Sequence, residues 1–263
     1  MKVNKFLDTF QWLFDVEDWK KLFRSIPGTV TMISVVTVVI MNLMAAKVVI
    51  MTPVMGVTGG VLLSWIPFLI GDVVVKTYGA KAATKLNLLG LFINLICIGV
   101  FQLIASIHVG VNPDDYTSFN ATFNQTWQIF VASSIAFIVS GIVNNFTNAG
   151  IGKLFKKNPD GKIAYMCRSY ISTALGQFID NFIFAGLAFL VFFKLSIGTS
   201  LGYTLLSVLG TGVLGALFEL IMQVVFSPIG YKMCEKWRKE DIGKDYLNYC
   251  KDHELVLDAR RLG

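Results

Sequence analysis

Three carboxylates in this sequence stand where a carboxylate is expensive. Asp72 follows Val54–Gly71, a run without a single charge. Asp180 sits inside SYISTALGQFIDNFIFAGLAFLVFF (169–193), and Glu219 inside FELIMQVVF (218–226). On insertion scales an ionised carboxylate deep in lipid costs roughly 2.5–3.5 kcal/mol, so such groups turn towards a partner or a wet cavity. Lys76 follows Asp72 at i+4, on the same helix face, where the two can pair, and Glu219 offers the same lysine a second counter-charge. Asp180 has no comparable partner: in its own stretch the nearest basic residue is Arg168, about three turns away. Gln177, Asp180, Asn181 and Phe184 fall on one helix face by their spacing. A carboxylate flanked by amides suits a planar heterocycle with paired N–H donors, such as a guanine-like edge, because both oxygens accept in the ring plane. Phe182, Phe184, Trp65 and Tyr78 are candidates for a stacking face. Asn42 and Asn144 add two more amides at similar depth, where the alternative role of a lone amide is to tie helices together.

Long apolar helices must position these residues. Of the 263 residues 54% are hydrophobic and 15% charged, against about 25% charged in a typical soluble domain. Apolar runs of about 20 residues recur, the length that crosses a bilayer. The pattern predicts an all-α membrane protein with six transmembrane helices, over about 29–50, 61–75, 86–107, 129–146, 169–193 and 201–226. The domain reading is an interfacial amphipathic helix at 1–26, a six-helix transmembrane domain at 27–230, and a charged tail at 231–263 that forms a solvated helix. The interfacial helix is read from Phe6, Phe10, Leu13, Phe14, Leu22 and Phe23 among acids and lysines. Residues 52–60 read as a Gly- and Thr-rich loop, and His108–Gln128 as a polar outer loop carrying Asp114 and Asp115.

Charge sets the orientation. Of the 23 lysines and arginines, 21 fall in the N-terminal segment, the 76–85 connection, the 153–168 connection and the tail, leaving Lys47 and Lys194 for the other side. By the positive-inside rule both termini are cytoplasmic. The net charge of +6 is thus explained by topology and does not imply nucleic acid. Five of the six spans then bring a polar or ionisable group to one slab of the bilayer. The four cysteines have no metal-ligand spacing, and no P-loop, paired metal-ligand histidines or nucleophile–base pair occurs, so neither an enzyme nor a bound metal or cofactor is expected.

Several segments resemble the queuosine precursor transporter family, also called the vitamin uptake transporter (VUT) family. They are PFLIGDVVVKTYGAKAA (67–83), ASSIAFIVSGIVNN (132–145), RSYISTALGQFIDNFIFAGLAF (168–189) and, more weakly, FELIMQVVFSPIGYKM (218–233). The resemblance implies a six-helix importer of 7-deazaguanine compounds, such as 7-cyano-7-deazaguanine, 7-aminomethyl-7-deazaguanine or queuine, in a bacterial inner membrane. It matches Asp72 and Asp180 to the family's intramembrane aspartates. Asn144 stands where family members often carry another aspartate, Lys76 where many carry glutamate, and Glu219 where lysine is common. The expected substrate-binding set is Asp180, Gln177, Asn181, Asn144, Asp72, Asn42 and Phe184, with Lys76 and Glu219 as a structural charge pair. The partners are a purine-like small molecule and the bilayer; a homodimer is left open and an energising ATPase is not expected. The competing reading is a substrate-binding membrane subunit of an energy-coupling-factor-type vitamin importer.

Overall fold

A computed structural model describes residues 11–45, 47–52, 55–107, 116–155, 157–188 and 201–253. Phe6, Phe10, Asp114, Asp115 and Lys194 lie outside the described residues. After a short 3-10 turn at Gln11–Leu13 come α1 (Val16–Ser25) and α2 (Gly28–Ala45), then a two-stranded hairpin, β1 (Val48–Thr52) and β2 (Met55–Thr58). Six further helices follow: α3 (Val61–Tyr78), α4 (Ala80–Ser106), α5 (Thr117–Gly152), α6 (Lys162–Ala185), α7 (Leu201–Lys239) and α8 (Lys244–Asp252). Six helices, α2 to α7, are long and apolar enough to cross a membrane, so the protein is an all-α, multi-pass membrane protein. Its exposed apolar side chains, such as Phe92, Leu103, Ile171 and Ile221, lie along these spans.

α3 is the axis of the bundle. Every residue from Ile70 to Ala80 is buried, and α3 contacts α2, α4, α5, α6 and α7. This explains why Ile70 and Val73–Val75 surround Asp72 with no alternation of polar and apolar faces: a helix enclosed on all sides has no lipid face to mark. α3 and α4 are joined by one residue, Gly79, at φ 94°. A side chain is strained at that angle, and glycine is not. The three lysines expected in a loop here are therefore helical: Lys76 ends α3, and Lys81 and Lys85 begin α4.

Other boundaries move for identifiable reasons. The first span ends at Ala45, because residues 48–58 pair as an antiparallel hairpin and do not form the expected loop. The hairpin is held to α7 by the Gly56 N–H donating to Thr211 Oγ1 at 2.9 Å. α5 extends well into the predicted outer loop, starting at Thr117. α6 begins at Lys162, which places Arg168 inside the bundle. α7 runs through Pro228 and across the expected boundary at 230. Proline cannot bond the carbonyl four residues back, and here Ser227 Oγ donates to that carbonyl, Val224 O, at 3.3 Å.

Both terminal helices dock at the same end of the bundle as the Gly79 turn. α1 packs on α8, the Tyr78 hydroxyl donates to Ser25 O at 2.8 Å, and Tyr78 meets the rings of Trp237 and Tyr246. Lys85 is fully enclosed and ion-paired to Asp18 of α1, with the rings of Trp12 and Trp19 beside its ammonium. The tail helix is consequently solvated on one face only: Tyr246, Leu247 and Cys250 are buried, while Lys244, Asp245, Asn248 and Lys251 are exposed. The described parts of all four basic segments thus share one end, the α5–α6 connection joining the other three through Asp160, which pairs with Lys76 and Arg238.

Candidate functional site

Four helices each carry a buried row at successive i+4 positions, polar throughout on α5 and α6 and interrupted by Phe68 on α3 and Gly215 on α7. α3 has Ser64, Phe68, Asp72 and Lys76; α5 has Ser140, Asn144 and Asn148. α6 has Ser169, Thr173, Gln177 and Asn181; α7 has Thr211, Gly215, Glu219, Gln223 and Ser227. An i±4 row is the ridge along which helices commonly pack, so these rows face one another and make a polar seam through the bundle. Gly176 lets α6 approach closely: a Cβ there would lie 2.9 Å from Asn144 Cβ and 3.0 Å from Phe68 Cε1.

The seam has two layers of charge. In the layer nearer the basic end, Asp72 is fully enclosed and saturated. Its Oδ1 accepts from Asn144 Nδ2 (3.4 Å) and Asn148 Nδ2 (2.7 Å); its Oδ2 accepts from Ser169 Oγ and from Gln223 Nε2 (2.6 Å). Asn148 Oδ1 in turn accepts from Arg168 Nε at 2.6 Å. Arg168 only donates and an ionised Asp72 only accepts, so the Asn148 amide can sit between them in one orientation alone. The result is a buried anion and cation joined through an amide. Hydrogen bonds to a charged group contribute about 1.5–3 kcal/mol each, and several are needed to offset desolvation of this kind.

The second layer lies two turns further along α3. Glu219 accepts from Ser64 Oγ and from Asn181 Nδ2 (2.7 Å). Asp180, next to Asn181, is less enclosed, and among the described residues Ser140 is the one that hydrogen-bonds it, at 2.7 Å. Between the layers, and on the Asp72 layer itself, lie amides and one hydroxyl with unused bonding capacity. Gln177 is fully buried with neither side-chain atom partnered, and Asn144 Oδ1, Gln223 Oε1 and Thr173 Oγ1 are also buried without partners.

The predicted residues divide accordingly. Asp72, Asn144, Gln177, Asp180 and Asn181 come together on the seam. Asn42 does not join them: its amide donates to Val38 O on its own helix, at 3.0 Å. Phe184 packs in a separate apolar cluster with Ala132, Ala185, Ala188 and Val208. Of the proposed stacking residues, Tyr78 belongs to the basic end, Phe182 is exposed, and Trp65 stacks on Phe226 at 4.4 Å. The aromatic ring against the amides is Phe68, which meets Phe137 edge-on.

Neither predicted lysine pair forms. Lys76 is ion-paired to Asp160 at 2.6 Å and also donates to Pro159 O, both in the α5–α6 connection, and Arg238 of α7 reaches the other oxygen of Asp160 at 3.1 Å. Lys76 points out of the seam at its basic end, away from Asp72. Glu219 meets Ser64, which is twelve residues from Lys76 on one helix, about 18 Å, and no lysine side chain spans that. Burial opposes the charge of Asp160, but its bonds to Lys76 and Arg238 hold the carboxyl below the usual aspartate range. Asn148, Ser169, Gln223, Ser64, Ser140 and the structural part played by Arg168 were not among the predicted site residues; the shared i+4 rows are the signal that marks most of them.

A family model described as "Putative vitamin uptake transporter" matches residues 58–233, which spans every residue of the seam from Ser64 to Ser227. No curated protein and no solved structure matches the chain.

Proposed function

The chain belongs to the vitamin uptake transporter family, and from that membership we propose that it imports a queuosine precursor, a 7-deazaguanine compound, across a bacterial inner membrane. The observation that carries this reading is the set of buried, unpartnered amide atoms on Gln177, Asn144 and Gln223, lying between two carboxylates with Phe68 at the wall. Amides both donate and accept, as do the edges of a guanine-like base. Asp72, whose two oxygens already accept four hydrogen bonds, orients Asn144 and Gln223. Asp180, with one partner among the described residues, is the carboxylate assigned to the paired N–H donors of the substrate. Asn181, the next residue in the chain, donates to Glu219. Both termini are cytoplasmic in this reading, and the protein works without an energising ATPase.

The test is uptake of labelled 7-deazaguanines into bacteria that cannot synthesise them, followed by transport by the purified protein in liposomes. Expression of the chain should restore uptake, and Asp180→Asn should abolish it with near-normal expression, because one acceptor becomes a donor. Near-normal substrate affinity in a well-folded Asp180→Asn protein would defeat the assignment. Uptake that occurs only with copurifying ATPase subunits would favour an energy-coupling-factor-type subunit.

A further inference from the structure

We propose that Glu219 is a proton-binding site, and that the proton it holds crosses the membrane together with the substrate; this rests on the transport reading given above. Glu219 is almost fully buried, and its partners among the described residues, Ser64 and Asn181, are both neutral. Asp72 has its counter-cation, Arg168, one amide away. Glu219 has none.

The groups that face it from each packed element confirm this imbalance. α3 contributes Ser64 and, two turns on, Asp72, itself an anion. α6 contributes Asn181 and Asp180, with Arg168 twelve residues away from Asp180 on that helix, about 18 Å. β2 holds no ionisable residue, and neither does α2, nor α5 between Trp127 and Gly152. On α4, Lys85 is committed to Asp18 at the basic end. On α7 the nearest ionisable side chain towards the basic end is Tyr231, twelve residues on. An isolated ionised carboxylate in such surroundings is costly, and it is relieved by a cation or a proton. A metal cation would require several oxygens to replace its water shell, and few converge here.

The local hydrogen bonds accommodate both protonation states. Ser64 Oγ has two acceptors in reach, Glu219 Oε1 and Val61 O at 3.1 Å. With Glu219 ionised, Ser64 donates to it. With Glu219 protonated, the acid O–H donates to Ser64 Oγ, whose own hydrogen turns to Val61 O. No hydrogen bond is lost in either state. Gln177, fully buried with an unpartnered amide, lies one turn from Asn181 and supplies a further donor and acceptor beside the pair.

Coupling follows from charge. Asp180 and Glu219 repel when both are ionised, and a proton on Glu219 leaves Asp180 free to take the substrate's N–H donors as an anion. Binding of proton and substrate is then mutually favourable, and the coupling is reciprocal.

The experiment uses the purified full chain in liposomes, with the membrane potential clamped and labelled 7-cyano-7-deazaguanine as the probe. An interior-alkaline gradient of one pH unit should support about tenfold accumulation in a one-to-one symport, since each factor of ten corresponds to 1.4 kcal/mol. Glu219→Gln should still exchange labelled for unlabelled substrate and should lose the response to the gradient. Should that variant fail to fold, the wild type decides: adding substrate to detergent-solubilised protein in a weakly buffered solution should take up protons. Accumulation indifferent to the proton gradient, accumulation driven by sodium instead, or binding without proton uptake would each overturn the proposal while leaving the transporter intact. Absence of any exchange by the wild type would overturn the transport reading itself.

Discussion

Replacing Asp72 by asparagine isolates the charge of this residue from its shape. The new amide keeps an oxygen for Asn144 and Asn148, which both donate to Oδ1. Its N–H group then faces Ser169 and Gln223. Serine can turn to accept, and Gln223 can flip to present Oε1, which is unpartnered in the native protein. Hydrogen bonding can therefore be largely recovered, and what is lost is the anion opposite Arg168. Removing one partner of a buried ion pair costs about 3–5 kcal/mol, and at roughly 2–4 °C per kcal/mol for a chain of this size the fall in Tm is about 6–20 °C. Asp72→Ala should be worse, since it also strands four donors. Thermal unfolding of the detergent-solubilised protein measures the effect, and Asp72→Asn combined with Arg168→Gln should recover most of the loss. A single variant as stable as wild type, or a double variant no better than the single, would refute the view that Asp72 and Arg168 form one charge-balanced unit.

The link of Asp160 to Lys76 and Arg238 should hold from about pH 4, the ordinary aspartate value, up to the alkaline range in which Lys76 gives up its proton. The folded-state affinity for the proton is depressed, so this contribution to stability is present above the unfolded value and is lost as pH falls through the lower folded one. Proteolysis of the 153–161 segment should accordingly be equal at pH 7 and pH 5, and faster in Asp160→Asn. A cysteine at Ser118 should react with an impermeant maleimide on intact cells, whereas one at Lys251 should react only after permeabilisation. Native Cys250 is an unsuitable reporter, being enclosed with its thiol pushed up to about 11, chiefly by burial. Gln177→Leu should leave the protein as stable as wild type or more so, with uptake lost; a destabilised variant that still transports would contradict the assignment of Gln177 to the site.

The membrane class and the number of spans were legible because apolar length and basic bias act locally along the chain. The i+4 rows were equally present: Asn144 and Asn148, Glu219 and Gln223, and Ser169 through Asn181 stand four apart in plain view. Reading each amide singly hid them, since a polar residue at one position says little until its row meets another helix. Partner choice was the part that could not be read. Lys76 pairs with Asp160, and Lys85 with Asp18 67 residues away, because helix tilt and the one-residue turn at Gly79 decide which ends meet. The hairpin at 48–58 escaped for a different reason. Its apolar residues continue the hydrophobic run of α2, and periodicity does not separate a short strand from the end of a helix.

Stability does not explain the seam. A buried ion pair can often be replaced by packed apolar residues at no cost or with a gain, and each polar atom buried without a partner costs about 1–3 kcal/mol. Gln177 contributes two such atoms, and Asn144, Gln223 and Thr173 one each. Their combined penalty is comparable with the net stability of an ordinary domain, about 5–15 kcal/mol. A bundle whose rows at these positions were leucine and alanine would pack with less penalty and could not admit a polar molecule. Part of the cost falls between Asp72 and Asp180, on the helices that Gly176 brings together; Asn94 on α4, and Asp18 Oδ1 and the Tyr165 hydroxyl towards the basic end, also hold buried atoms without partners. What sets the seam apart is that its unpartnered amides stand beside carboxylates on facing helices, so in the proposed transport reading the saturated Asp72 orients them while the under-saturated Asp180 and Glu219 take substrate and proton at separate groups.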